Sequence, residues 1–182
     1  MLATIYKSTG SWYIAKAENG GIYNARMKGV FKIDDITSTN PVAVGDIVDI
    51  EPEDSSGNNA VINDIYERSN YIARSSPRRN KQHHIIASNL DQALLIATLK
   101  EPKTSQGFID RCLVGAEAYH VPSIIVFNKT DVYRTKEWDA YKKFEEMYEK
   151  IGYAIYKISM KTYEGLDEVK QLLQHKISHI GP

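Results

Sequence analysis

Two halves of the chain carry hydrophobic residues at different periods. From Leu2 to about Tyr66, apolar and polar positions alternate in short steps broken by turn residues. The alternation predicts strands near Ala3–Lys7, Trp12–Ala17, Ile22–Met27, Asp46–Glu51 and Ala60–Tyr66. Glu18-Asn19-Gly20-Gly21 reads as a hairpin turn, because Asn and Gly tolerate the positive φ that tight hairpins need. Five short β-rich segments suit a small closed barrel. The OB-fold is the best-known five-stranded candidate, and an SH3-like barrel is also compatible with that strand count.

From Leu90 the pattern becomes one of continuous apolar runs and helical stripes. Asp91–Leu99 and Pro122–Asn128 read as strands buried on both faces. Between them Phe108, Ile109, Cys112, Leu113 and Ala116 fall at helical spacing. Trp138, Tyr141, Phe144, Met147 and Tyr148 form a second helical stripe. A strand over Ala154–Ser159, a helix holding Leu166, Val169, Leu172 and Leu173, and a strand over Lys176–Ile180 complete the half. The order β-α-β-α-β-α-β predicts a mostly parallel sheet with right-handed crossovers and helices on both faces. The fold class is therefore α/β with an all-β N-terminal domain.

Between the halves, Arg74, Arg78, Arg79 and Lys81 make residues 74–88 the most basic stretch. It reads either as a solvated linker or as a phosphate-contacting segment, since clustered Arg and Lys displace counterions from nucleic-acid backbones. His83 and His84 lack the carboxylate or thiol neighbours of a metal site. The predicted boundaries are 1–73 for the barrel, 74–88 for the basic linker and 89–182 for the α/β part.

Composition narrows the partners. The 182 residues are 42% hydrophobic and 25% charged, with 23 basic and 23 acidic side chains, which excludes collagen-like and wholly disordered chains. With zero formal net charge, any polyanionic partner must be held by a local patch. No apolar run approaches the roughly 18–20 residues that span a bilayer, and the N-terminus lacks a secretory layout. The single Cys112 makes no internal disulfide, so a cytoplasmic location is expected.

The candidate chemistry lies after two of the buried strands. Ligands of an open parallel sheet sit outside the carboxyl ends of its strands. Asn128-Lys129-Thr130-Asp131 follows one strand and Ser159-Met160-Lys161 follows the next. An ionised Asp131 offers two acceptors to the N1–H and exocyclic amino donors of guanine. Adenine turns a lone pair toward that carboxylate, and a site built around buried donors rejects an analogue lacking them by on the order of 10⁴–10⁵-fold. Asn128 is placed to read the O6/N7 side, and the Lys129 stem to lie over the purine with its ammonium in water. Backbone N–H groups of Ser159-Met160-Lys161 are expected to donate to the guanine carbonyl.

These elements, in this order, resemble the ribosome-small-subunit-dependent, circularly permuted GTPase family called RsgA or YjeQ. Ala25-Arg26-Met27-Lys28-Gly29-Val30-Phe31-Lys32 and Val44-Gly45-Asp46-Ile47-Val48 are similar to its OB-fold signatures, and residues 67–74 to its inter-domain connection. IIASNLDQALLIATL and FIDRCLVGAEAYHVPSIIVFNKTD are similar to its first GTPase strands and helix. Ordinary GTPases place NKxD and SxK after the phosphate-binding loop, whereas here both come with no such loop before them.

The resemblance implies that GTP is bound and hydrolysed, that the small ribosomal subunit and its rRNA are the partners, and that the protein is monomeric and membrane-free. It implies a guanine site of Asn128, Lys129, Thr130, Asp131, Ser159, Met160 and Lys161, with Gly181 opening the GxxxxGK[ST] loop. RNA contacts fall on Arg26, Lys28, Lys32, Arg74, Arg78, Arg79 and Lys81. Mg²⁺ and structural zinc are implied for the whole family protein, but their ligands are not among these 182 residues. The chain is then expected to be the N-terminal portion of a larger enzyme, inactive alone, with no catalytic residue of its own. The alternative is a non-catalytic RNA-binding module whose second domain is a scaffold. A small-molecule enzyme using Asp131 or His120 as base is disfavoured, since no nucleophile–base pair or glycine-rich loop after a first strand is present.

Overall fold

The computed structural model describes residues 1–28, 41–53, 57–75 and 83–181, which divide into two compact units, 1–89 and 90–182. Lys32, Arg78, Arg79 and Lys81 lie outside the described residues.

The first unit contains a closed five-stranded barrel. Its strands are β1 (Leu2–Ser8), β2 (Tyr13–Ala17), β3 (Ile22–Met27), β4 (Ile47–Pro52) and β5 (Asn59–Ile65). They close in the order β1-β2-β3-β5-β4, antiparallel except for the parallel β3–β5 pair. Alternation fills the interior with Ala3, Ile5, Tyr13, Ala15, Ala25, Val48, Ile50, Ala60 and Ile62. Small alanines on β1–β3 face larger aliphatics on β4 and β5, which lets so narrow a barrel close. Of the adjacent aromatics, Tyr13 is buried and Trp12 half-exposed, as alternation requires.

Sequence periodicity missed an antiparallel hairpin of β6 (Tyr71–Ser75) and β7 (His83–Ser88). Arg74 thus stands exposed on a strand opposite His84, and part of the stretch read as a linker is sheet. A buried ionic cluster fastens this hairpin within the unit. Asp46 accepts Arg68 Nε at 2.7 Å, Arg68 Nη2 at 2.6 Å, Ser88 Oγ at 2.5 Å and the Ala43 N–H at 2.8 Å. Gly45, at φ +92°, precedes it, and a Cβ there would lie 2.1 Å from the Ser88 carbonyl oxygen.

The second unit is a four-stranded sheet with helices on both faces. Its elements are β8 (Gln92–Thr98), α1 (Gln106–Glu117), β9 (Ser123–Asn128), α2 (Thr135–Glu149), β10 (Ala154–Lys157), α3 (Leu166–Leu173) and β11 (Ser178–Gly181). All pairs are parallel, in the order β10-β9-β8-β11. α1 and α2 cover one face through Ile109, Leu113, Tyr141 and Tyr148 against Leu95, Ala97, Ile125 and Phe127. α3 covers the other through Val169 against Leu94, Val126 and Ile158. The chain steps outward from β8 to β10 and then returns to the far side of β8, so the topological switch lies between β8 and β11. No helix among the described residues is long and apolar enough to cross a membrane.

Removing one partner of a buried ion pair strands the other without compensation, at about 3–5 kcal/mol. Asp46→Ala is therefore expected to lower the urea unfolding free energy by that amount. Asp46→Leu combined with Arg68→Met is expected to cost less than the single change, because no charge is left buried.

Candidate functional site

The candidate site is assembled by parallel pairing that continues past the ends of β9 and β10. Beyond the last ladder pair, Lys157 with Phe127, the Ile158 N–H donates to the Phe127 carbonyl at 2.8 Å. Thr130, buried in a short 3₁₀ turn over Thr130–Val132, returns its N–H and its hydroxyl to the Ile158 carbonyl, each at 3.2 Å. Thr130 therefore staples the two loops together and turns away from the exposed side. Lys129 makes the bend before it in a left-handed conformation (φ 66°).

Asp131 and Ser159 meet across this staple. Ser159, fully buried, donates its hydroxyl to Asp131 Oδ1 at 2.7 Å and accepts the N–H groups of Lys161 (3.2 Å) and Thr162 (3.1 Å). Its single proton is committed to the carboxylate, which fixes Asp131 at Oδ1, while the residue as a whole is exposed. Asn128 Oδ1 accepts the Lys129 N–H at 2.7 Å and the Met160 N–H at 3.4 Å, a second bridge between the loops. The N–H groups expected to meet a base carbonyl are turned inward in this structure: that of Ser159 donates to the Glu164 carbonyl at 3.0 Å, that of Met160 to Asn128 and that of Lys161 to the Ser159 hydroxyl. Met160 and Lys161 are exposed beside them.

Four supporting hydrogen bonds were not legible in the sequence. The Tyr133 hydroxyl, buried, donates to the Asn128 carbonyl at 2.9 Å and accepts the Leu99 N–H at 3.1 Å, tying the ends of β8 and β9. Burial pushes the Tyr133 phenol above its ordinary range, so it remains a neutral donor. The Lys129 ammonium donates to the Glu101 carbonyl in the loop after β8, and the Lys100 ammonium to the Val132 carbonyl at 3.4 Å. Tyr133 is a polar-tipped aromatic just after the turn, but nothing local marks the two groups it bridges. The two lysine contacts end on backbone carbonyls, which every residue type carries.

Gly181 ends β11, separated from β9 by β8. In the barrel unit, Arg26 is paired with Glu53 at 2.5 Å, while Lys28 and Arg74 are exposed. Among the described residues no group of three or more His, Cys, Asp or Glu side chains is placed to hold a metal ion.

What the arrangement presents is an exposed carboxylate held at one oxygen, at the carboxyl edge of a parallel sheet, flanked by an amide and a lysine stem. The fold matches that of circularly permuted GTPases. The crystal structure of YjeQ from Thermotoga maritima matches over 100% of this chain and 59% of that one, with TM-score 0.77 and 28% sequence identity. YloQ, described as a circularly permuted GTPase, matches over 99% of this chain and 58% of its own, with TM-score 0.71 and 27% identity. Family models agree: the RsgA GTPase model matches residues 65–181 and the RsgA N-terminal domain model residues 3–62. The chain belongs to the RsgA GTPase family.

Curated relatives named small ribosomal subunit biogenesis GTPase RsgA are 48% identical over 181 residues in Cytophaga hutchinsonii and 49% identical over 182 in Christiangramia forsetii. Each alignment takes in 100% of this chain. The chain spans 59% and 58% of those two proteins.

Tyr133→Phe removes the acceptor of a buried amide, a loss of about 1–3 kcal/mol. Hydrogen exchange at the Leu99 amide is expected to speed up by about tenfold or more, while amides of α3 keep their protection.

Proposed function

We propose that this chain is the RNA-binding barrel and guanine-recognition part of a GTPase acting in assembly or maturation of the small ribosomal subunit. In this reading 1–73 is the OB-like RNA-binding domain, 74–88 a basic connection, and 89–182 the N-terminal part of a permuted GTPase domain. The observation that carries it is the 2.7 Å hydrogen bond by which buried Ser159 orients Asp131. A carboxylate fixed at one oxygen accepts the paired N1–H and amino donors of guanine with little ordering cost, and meets adenine with an unmatched lone pair.

Each neighbour has a task in this reading. Asn128 reads the O6/N7 side, and its bridge to the Met160 N–H keeps that loop within reach of the base. The Lys129 stem covers one face of the purine, its ammonium anchored on the Glu101 carbonyl. Ser159, Met160 and Lys161 line the far side, Thr130 holds the two loops in register, and Gly181 leads toward the phosphates. Arg26, Lys28, Lys32, Arg74, Arg78, Arg79 and Lys81 are the basic residues assigned to rRNA. The relatives' name, small ribosomal subunit biogenesis GTPase, supports the substrate and the partner. A cytoplasmic, monomeric protein fits such a role.

GTP is the substrate, and Mg²⁺, when bound with it, supplies charge neutralisation at the phosphates. Hydrolysis also requires a phosphate cradle, and these 182 residues contain no GxxxxGK[ST] sequence. In a single-turnover assay the 182-residue chain is expected to release phosphate from GTP no faster than buffer; a rate above buffer overturns this.

Guanine specificity is testable on the chain as it stands, by following amide resonances during nucleotide titration. GDP is expected to shift 128–131 and 159–162 at concentrations where ADP does not. Asp131→Asn exchanges an acceptor for a donor, so GDP binding is expected to weaken by about tenfold or more while xanthosine diphosphate gains. Equal shifts from GDP and ADP would leave an RNA-binding module with a scaffold domain as the better reading.

A further inference from the structure

The barrel sorts its charge by strand. β1, β2 and β3 carry Lys7, Lys16 and Arg26 and no acidic residue. β4 and β5 carry Asp49, Glu51 and Asp64 and no Lys or Arg. Closure in the order β1-β2-β3-β5-β4 gathers the three cationic strands side by side. A domain whose composition is mildly acidic therefore turns one basic sheet face outward, with its acids on the neighbouring face.

That face also displays apolar rings and chains that packing does not explain. The β1–β2 ladder pairs Ile5 with Ala15 and then Lys7 with Ile14, so Tyr6 is the extra residue of a β-bulge. Alternation from the buried Ile5 would send Tyr6 out and Lys7 in; the bulge turns both to solvent. Tyr6 is 60% exposed although it lies within a strand, and Ile22 is 61% exposed. Lys16 sits between them, its ammonium 5.6 Å from the centre of the Tyr6 ring and its backbone directly opposite Ile22. Arg26 is already paired with Glu53, so among the described residues of these three strands Lys7 and Lys16 are the cations left for a ligand.

We infer that the outer face of β1–β3, centred on Tyr6, Lys7, Lys16 and Ile22, is the surface on which the barrel takes RNA. The inference rests on the RNA-binding reading proposed above and moves its main contact away from Arg26. An exposed aromatic ring beside lysines is what a nucleobase with its flanking phosphates requires: the ring stacks any base, and the ammonium groups replace counterions. A protein partner is the poorer match, because the cores of protein interfaces are depleted in lysine. The acidic β4–β5 face repels the same polyanion and so orients the barrel upon it.

The test measures binding of the 182-residue chain to protein-free small-subunit rRNA and to intact small subunits over a range of salt. Tyr6→Ala is expected to weaken binding by about tenfold, the loss of one stacked base. Lys7→Gln with Lys16→Gln is expected to flatten the slope of log affinity against log salt by about 1.5. Asp64→Asn, on the acidic face, is expected not to weaken binding and to leave the slope unchanged. The lysine pair keeps its aliphatic stems and serves as the decisive variant should Tyr6→Ala fail to fold by circular dichroism. If the native chain binds rRNA and these variants bind equally well with the same slope, the face is wrongly assigned and the RNA reading stands. If the native chain binds no rRNA at all, the RNA reading itself falls. Weakening on intact subunits with unchanged binding to protein-free rRNA overturns the inference in favour of a ribosomal protein.

Discussion

The candidate site depends on a parallel ladder that outlasts its strands. Phe127, Ile158 and Thr130 continue the β9–β10 pairing for one step into the loops, and that step sets Asp131 against Ser159, 28 residues away in sequence. Parallel strands put all their carboxyl ends on one side of a sheet, so loops distant in the chain become neighbours without any local preference for each other. A slip of one residue would turn every side chain of β10 to the opposite face, exposing Ile158 and burying Lys157. Register is thus enforced by the core long before any ligand arrives. The orientation of the site follows from hydrophobic burial.

The barrel unit solves a related problem with charge. Hairpin β6–β7 contributes no residue to the barrel core, and a two-stranded hairpin alone is marginal in water. Asp46 supplies what apolar burial does not, accepting hydrogen bonds from the Arg68 guanidinium, the Ser88 hydroxyl and the Ala43 amide. With every lone-pair direction used, the buried pair is specific to one arrangement, whereas a greasy contact would tolerate several. Gly45 belongs to the same joint, since only a residue without Cβ fits beneath the Ser88 carbonyl.

Loops after β8, β9 and β10 are likewise held by polar contacts of modest individual worth. Lys129 on the Glu101 carbonyl, Tyr133 between Leu99 and Asn128, and Ser159 on Asp131 each fix one degree of freedom. Collectively they leave Asp131 oriented yet exposed. Such preorganisation suits the purine discrimination proposed for the site, because little ordering remains to be done on binding.

The sequence by itself determined the periods, and through them the strands of the barrel, the βα order of the second unit and the residue types at its strand ends. Asn128, Lys129, Asp131 and Ser159 were legible because their chemistry lies in their side chains and their position follows an apolar run. Hairpin β6–β7 was not legible, since the basic run from Arg74 to Lys81 separates the short apolar stretches Tyr71–Ala73 and Ile85–Ala87, and Ser88 is tied to Asp46 from far along the chain. Nor were Tyr133 or the Glu101 and Ile158 carbonyls, which act by standing opposite a donor from elsewhere in the fold. The clustering of Lys7 and Lys16 away from Asp49, Glu51 and Asp64 emerged only when the barrel closed, because strand order around a cylinder is set by closure and not by succession along the chain. Local propensity chooses the elements; register and closure, which are properties of the whole packed unit, choose which of their polar groups meet.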